Sequence, residues 1–182
     1  EELRDLQVWS NLAWIDPTFR GEAPLRELFD KGRHFTEADK HGLLDWQIKL
    51  LGRIVPTYRD LFQQGRIDVS FTPFYHPILP LLCDTDIARE AIPGIALPTN
   101  PFRHPEDARK QIEMSQVMYR ELFDRPMVGM WPSEGSVSEE VARLCLDLGV
   151  EWIATDEEIL QGSFRKSSVP APDRAAYAVY DH

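Results

Sequence analysis

Two short apolar segments, each followed by a carboxylate and then by a helix signal, constrain the fold of this chain most strongly. Residues 126–131 lead to Glu134, and residues 150–155 lead to Asp156. Consecutive strand–helix units of this kind predict a parallel sheet, in which the carboxyl ends of the strands meet at one edge. We therefore expect Glu134 and Asp156 at the same edge of the sheet.

Paired carboxylates across a cleft are the groups that cleave glycosidic bonds. One attacks the anomeric carbon, while the other protonates the leaving oxygen and then activates water or an acceptor sugar. Each acid also has a simpler interpretation. Glu134 is compatible with a surface residue before a helix, whose start is predicted at the capping-box pair Ser136 and Glu139. Asp156 is compatible with a helix N-cap, a role that does not conflict with catalysis.

Charge and composition exclude several classes of function. The formal net charge is −10, from 20 basic and 30 acidic residues in 182, and no basic cluster is present. Nucleic acid and anionic membrane surfaces are therefore poor partners, and a neutral substrate is favoured. No apolar run approaches the ~20 residues that a membrane span requires. Localisation stays open, because the chain starts at Glu1 without Met and a signal peptide is compatible with that start.

The sequence predicts neither a metal site nor a bound cofactor. No glycine-rich phosphate loop follows a predicted strand. The two cysteines, Cys83 and Cys145, do not indicate a disulfide scaffold. The histidines are scattered at His34, His41, His76, His104 and His182. Because a metal centre needs three or four converging ligands, this spacing does not indicate one.

Other stretches of the chain alternate between predicted strands and predicted helices, which indicates an α/β fold with a mainly parallel sheet. Residues 6–16 and 66–73 are predicted strands, and Ala176 begins a further one. Thr36 and Pro105 mark the starts of two long helices. The apolar stripe predicted for the first of these helices is Leu44, Ile48, Leu51 and Val55.

Several polar and aromatic residues are candidates for holding a sugar. Asp68 lies on the polar face of the alternating strand 66–73. Tyr75 and His76 lie in a proline-rich loop, and a stiff loop holds a side chain in place at a small entropic cost. His76 is equally compatible with a structural histidine. Trp131, three residues before Glu134, offers a flat apolar face on which a sugar ring can stack.

Two of these stretches resemble motifs of a known enzyme family. Residues 129–138, Gly-Met-Trp-Pro-Ser-Glu-Gly-Ser-Val-Ser, are similar to the third motif of glycoside hydrolase family 57. The Glu of that motif, Glu134 here, is the catalytic nucleophile of the family. Residues 152–157, Trp-Ile-Ala-Thr-Asp-Glu, are similar to the fourth motif, whose Asp is the general acid/base and corresponds to Asp156.

The other motifs of the family correspond less closely. Residues 65–70 lie where the second motif falls, but the family usually carries Glu where this chain has Asp68. A Tyr-His-Pro stretch follows in the family and matches residues 75–77. The Tyr-Asp-His at 180–182 resembles the start of the fifth motif. The first motif, His-Gln-Pro, would precede Glu1.

The resemblance implies an α/β fold, specifically the parallel-stranded portion of an incomplete (β/α)7 barrel. It implies retaining hydrolysis or glucan transfer on α-glucans such as starch, glycogen, pullulan or maltooligosaccharides. It also leads us to expect that residues 1–182 are the central part of one catalytic barrel domain, completed by the remainder of the same barrel. The substrate-binding residues that it implies, beside the catalytic Glu134 and Asp156, are Asp68, Tyr75, His76, Trp131, Asp181 and His182.

Two alternatives remain open from the sequence. The first is a metal-dependent polysaccharide deacetylase or an α-mannosidase-like enzyme on a related barrel, with metal ligands outside the segments described above. The second is a barrel that binds glucan without turning it over. Acids at both predicted catalytic positions favour an enzyme over the non-catalytic barrel.

The pairing of the two acids generates the first testable prediction. We expect the carboxyl groups of Glu134 and Asp156 to lie about 5–5.5 Å apart, the separation found in retaining glycosidases. An experimental structure with a bound oligosaccharide would measure the distance. A separation of about 7 Å or more would contradict the retaining mechanism, because it leaves room for a water between acid and sugar.

Overall fold

A computed structural model describes residues 1–167 of the chain. The chain divides into two compact units, Glu1–Gln64 and Gly65–His182. The predicted strand from Ala176, together with Asp181 and His182, lies outside the described residues.

The first unit contains three α-helices and a short 3₁₀ turn at Pro17–Phe19. The helices are α1 (Glu2–Ala13), α2 (Ala23–Lys31) and α3 (Glu37–Gln63). The prediction of a strand over residues 6–16 is wrong, because this stretch is mostly α1. Its buried residues, Val8 and Leu12, are four positions apart and therefore lie on one face of a helix.

The predicted start of the long helix at Thr36 is confirmed, and Gly32 ends the preceding helix with a φ of 69°. The stripe predicted for α3 is wrong: Leu43 and Trp46 are buried instead. Leu44, Ile48, Leu51 and Val55 are all exposed. Pro56 lies inside α3 without dividing it into two helices.

One apolar cluster holds the first unit together. The buried members come from all three helices and the segments between them: Val8, Leu12, Ile15, Leu25, Leu28, Phe35, Leu43 and Trp46. The Trp46 indole N–H donates to Oε2 of Glu22 at 2.7 Å, so the polar edge of this ring keeps a partner. The carboxylate of Asp5 accepts hydrogen bonds from the backbone N–H groups of His34 and Phe35, which lowers the pKa of that carboxyl.

The second unit carries the strand–helix units. Its helices over the described residues are α4 (Leu79–Cys83), α5 (Ala88–Ala91), α6 (Pro105–Phe123), α7 (Glu139–Asp147) and α8 (Glu157–Lys166). Its strands are β1 (Gly129–Met130) and β2 (Trp152–Ile153), and 3₁₀ turns lie at Thr85–Ile87 and Ser133–Gly135. The predicted helix start at Pro105 is confirmed.

The two strands pair in parallel, as the sequence predicts, with Gly129 opposite Trp152 and Met130 opposite Ile153. On the other side of β1, Phe71 forms an isolated parallel bridge with Met130. Residues 66–73 therefore contribute one bridge rather than the full predicted strand. The ring of Trp152 lies over Gly129: a Cβ at position 129 would lie 2.1 Å from this ring, so a larger residue there would displace the Trp152 side chain.

Helix α6 anchors the extended segment that follows Asp68. The hydroxyl of Tyr119 donates to the Val69 carbonyl at 2.8 Å, and the Ser115 hydroxyl donates to the Thr72 carbonyl at 2.9 Å. These residues are four apart, so both lie on the buried face of α6. The helix thus satisfies backbone acceptors that strand pairing leaves open.

The start of α7 differs from the prediction. Ser138, rather than Ser136, is the N-cap, and its Oγ accepts a hydrogen bond from the Val141 N–H. Glu134 consequently lies in a separate 3₁₀ turn, five residues before the helix begins at Glu139. None of the helices described over residues 1–167 is long and apolar enough to cross a membrane.

The capping box of α3 generates a prediction about pH and stability. The ammonium of Lys31, 2.5 Å from Asp39, and the N–H of Thr36 lower the pKa of Asp39 from 3.8 to about 2. Because this pKa is depressed in the folded state, Asp39 stabilises the fold above pH 3.8, and the contribution disappears as the pH falls toward about 2. Asp39→Asn should therefore weaken amide protection in the first turn of α3 at neutral pH.

Hydrogen exchange, expressed as protection factors for the N-terminal amides of α3, measures this effect. The difference between the wild type and Asp39→Asn should shrink as the pH is lowered to about 3. Asp45→Asn, an exposed change on the same helix, is the control and should leave protection unchanged. A difference that is independent of pH would contradict the proposed role of the Asp39 charge.

Candidate active site

Glu134 lies in a tight turn directly after β1. Pro132 is buried and leads into the 3₁₀ turn Ser133–Gly135. The turn is closed by hydrogen bonds from the Gly135 N–H to the Pro132 carbonyl at 2.9 Å and from the Ser136 N–H to the Ser133 carbonyl at 3.0 Å. These hydrogen bonds hold the backbone of the turn, and the side chain of Glu134 is exposed.

The backbone of this turn is strained. Glu134 has φ 55° and ψ 22°, and Gly135 follows with φ 64°, so two consecutive residues are left-handed. Glycine adopts this region freely, but for Glu it costs on the order of 1 kcal/mol. The buried Ser133 hydroxyl has no hydrogen-bond partner among the described residues. Strain and unpaired polar groups of this kind concentrate at functional sites.

Asp156 follows β2 and comes close to the Glu134 turn. It occupies the N-cap position of α8, but its side chain makes no capping hydrogen bond. A Cβ placed on Gly135 would lie 3.4 Å from Oδ2 of Asp156, so this carboxylate is next to the residue that follows Glu134. The hydroxyl of Thr155 donates to the Gly135 carbonyl at 3.0 Å. The structure therefore brings the backbone of the Glu134 turn and the Asp156 carboxylate together.

The aromatic candidates are exposed near the same edge of the sheet. Trp131 is 57% exposed. Its backbone N–H donates to the Phe71 carbonyl at 2.8 Å, on the carboxyl side of the Phe71–Met130 bridge. Four residues further along that neighbouring segment, Tyr75 is 73% exposed, and its N–H donates to Oε1 of Gln111 at 2.8 Å. His76 is exposed and has φ 58°, a second strained residue in the region.

Asp68 lies elsewhere along the sheet. It is exposed, and it precedes the Phe71–Met130 bridge, whereas Glu134 follows that bridge. In a parallel arrangement the two residues are therefore toward opposite ends of their segments.

Burial raises the pKa of Tyr119, and the negative charge of Asp68 raises it further. Asp181 and His182 lie outside the described residues.

Other reactive groups in the second unit do not form a competing centre. Cys83 and Cys145 are buried, and burial raises the pKa of both thiols to about 11, so they are protonated at neutral pH. Over residues 1–167, no three His, Cys, Asp or Glu side chains come together in a way that could hold a metal ion.

The structure adds residues that sequence reasoning did not select. Thr155 and Gly135 connect the two acid-bearing turns, and Gln111 fixes the backbone of Tyr75. Thr155 and Gly135 lie inside the two motif-like stretches, each directly beside one of the two acids. That position is the sequence feature by which they could have been selected. Gln111 is 36 residues from Tyr75 in the chain, and no local pattern connects them.

Comparison with known families agrees with this geometry. The sequence profile of glycosyl hydrolase family 57 matches residues 1–181, which is nearly the whole chain. The chain belongs to glycosyl hydrolase family 57. No curated protein and no solved structure matches it.

Membership in family 57 supports a glycoside hydrolase, in a family whose enzymes hydrolyse or transfer glycosyl groups of carbohydrate substrates. The family folds as a (β/α)7 barrel. The described residues of this family 57 chain are mostly helical and contain the parallel pair of β1 and β2, which is consistent with part of such a barrel.

The left-handed conformation of Glu134 in the turn Ser133–Gly135 leads to a prediction about stability. Replacing Glu134 by Gly removes the cost of a left-handed Glu, so Glu134→Gly should stabilise the fold by about 0.5–1 kcal/mol. Chemical denaturation of the protein, followed by Trp fluorescence, measures the change in the free energy of unfolding.

Glu113→Gly is the matched control for this prediction. Glu113 lies inside α6, where glycine is expected to destabilise the fold by about 1 kcal/mol. If Glu134→Gly destabilised the fold as much as Glu113→Gly, then Glu134 would not hold a strained conformation in solution.

Proposed function

We propose that this chain carries the catalytic acids of a retaining glycoside hydrolase that acts on α-glucans. Glu134 is the nucleophile and Asp156 is the general acid/base. The observation that supports this assignment best is the packing of the Asp156 carboxylate against Gly135, next to Glu134. Both acids follow parallel strands that pair with each other, and the chain belongs to a glycosidase family.

The proposed reaction has two steps. In the first, a carboxylate oxygen of Glu134 attacks the anomeric carbon while Asp156 gives its proton to the glycosidic oxygen, whose bond to that carbon breaks. The product is a glycosyl ester on Glu134. In the second, Asp156 removes a proton from water or from an acceptor hydroxyl, which attacks the anomeric carbon and releases Glu134.

The surroundings of the acids suit a neutral polysaccharide. Trp131 and Tyr75 are exposed aromatic residues on neighbouring segments, and such rings stack on the apolar faces of sugars. His76, beside Tyr75, can donate or accept a hydrogen bond with sugar hydroxyls. The net charge of −10 disfavours anionic substrates. The sequence motifs resemble those of α-glucan enzymes, so starch-like chains are the proposed substrate class.

The remaining assignments are part of the same proposal. Asp181 and His182 bind substrate in the complete site, and residues 1–182 belong to one catalytic barrel domain. The resemblance assigns substrate binding to Asp68 as well, but its position toward the opposite end of its segment from Glu134 does not support contact with the same sugar. Hydrolysis and glucan transfer share the first step and differ only in the acceptor of the second. Product analysis of the full-length protein on maltooligosaccharides separates them: shorter sugars alone indicate hydrolysis, and longer products indicate transfer.

Distinct roles for the two acids generate the next prediction. Glu134→Gln should reduce kcat on glucans by at least about 10³-fold, because an amide matches the carboxylate in shape but cannot form the glycosyl ester. Asp156→Asn should impair substrates with poor leaving groups most and spare activated aryl glycosides, which need little protonation. Steady-state kinetics of the full-length protein on both substrate types measures this.

Glu140→Gln, an exposed change in the first turn of α7, is the matched control and should retain wild-type kinetics. Equal losses for Asp156→Asn on glucan and aryl glycoside would contradict its role as the acid. Glucan binding without turnover by the wild type would favour the non-catalytic alternative. A stoichiometric zinc content, lost together with activity on chelation, would favour the metal-dependent alternative.

A further inference from the structure

Three contacts connect the turns that carry the two proposed catalytic acids. The backbone of β2 is fixed to β1 by the hydrogen bond from the Ala154 N–H to the Met130 carbonyl at 3.1 Å. One residue later, the Thr155 hydroxyl donates to the Gly135 carbonyl at 3.0 Å. One residue later again, the Asp156 carboxylate lies against Gly135.

We propose that Thr155 is a positioning residue that sets the separation between Glu134 and Asp156. This inference rests on the proposed function of the two acids. The Thr155 hydroxyl connects the end of β2, which carries Asp156, to the backbone of the Glu134 turn across 20 residues of sequence. Thr155 does not touch the reacting atoms itself; it acts by holding the turn in place.

The strain at Glu134 explains why such a connection is needed. A left-handed Glu is less stable than the same residue in a right-handed or extended conformation, so the turn tends to relax. Relaxation would rotate the Glu134 side chain relative to Asp156. The Thr155 hydrogen bond opposes this rotation because the accepting Gly135 carbonyl belongs to the residue directly after Glu134.

The chemistry of threonine suits this role. Its branched Cβ restricts χ1, so the hydroxyl is directed with less loss of entropy than a serine hydroxyl. Glycine at 135 adopts the left-handed φ of 64° freely, and a Cβ there would be in ordinary contact with Asp156 Oδ2 at 3.4 Å. Any other residue at 135 would therefore strain the left-handed backbone next to the acid.

The test compares Thr155→Val with Thr155→Ser in the full-length protein. Valine keeps the shape of threonine but cannot donate, so kcat on maltooligosaccharides should fall by about 10- to 100-fold, the effect of misplacing a reacting group by roughly 1 Å. KM should change by less than about threefold, since the sugar contacts remain. Serine keeps the donor and should recover most of the lost kcat.

Thr57→Val is the matched control. The Thr57 hydroxyl donates to the Arg53 carbonyl at 2.8 Å within α3, so the variant makes the same substitution and removes an exposed hydroxyl-to-carbonyl hydrogen bond elsewhere. It should leave kcat and KM unchanged. Circular dichroism and thermal unfolding establish that each variant is folded, and kcat is expressed per folded molecule.

Two outcomes overturn the inference. Either Thr155→Val retains wild-type kcat, or Thr155→Ser loses as much kcat as Thr155→Val. Glu134→Gln, assayed in parallel, keeps the two hypotheses apart. If Glu134→Gln is inactive while Thr155→Val is unimpaired, the positioning role fails and the proposed function stands; if Glu134→Gln remains active, the proposed function fails.

Discussion

Backbone pairing on both sides of β1 is the constraint on which the rest of the site depends. Phe71 donates to Gly129 and accepts from Trp131 on one side, while Ala154 donates to Met130 on the other. Because both pairings are parallel, the segments that follow leave the sheet in the same direction. Met130 is fully buried at the centre of this arrangement. The exposed turns therefore start from a backbone that is hydrogen-bonded and packed.

The strain at the carboxyl edge is offset by contacts around it. A left-handed Glu134 costs on the order of 1 kcal/mol, comparable to the net contribution of one ordinary hydrogen bond. Hydrogen bonds within the turn and the bond from Thr155 to Gly135 oppose its relaxation. Backbone strain therefore occurs at exposed residues with proposed roles at the site, Glu134 and His76, while Met130 in the adjacent strand is fully buried. This division is common at active sites.

Several features of the fold were misread from the sequence for identifiable reasons. Aromatic residues between positions 6 and 16 favoured a strand, but the burial of Val8 and Leu12, four residues apart, follows the helical period. In α3, Leu43 and Trp46 were not selected, because which stripe of a helix is buried depends on the helices packed against it. The cap of α7 is at Ser138 rather than Ser136, since both serines precede an acidic first turn and the pattern alone does not separate them.

The sequence by itself determined the two strand–acid–helix units, their parallel pairing and the family to which the chain belongs. These features are local: the apolar runs, the Gly and Pro residues that end them and the motif residues of both units lie within about 30 positions of one another. Only the tertiary structure decided the left-handed turn at Glu134, the approach of Asp156 to Gly135 and the support of Tyr75 by Gln111. Backbone strain and contacts between distant residues exist only once the strands and helices have packed, because packing makes a locally unfavourable conformation the most stable one overall.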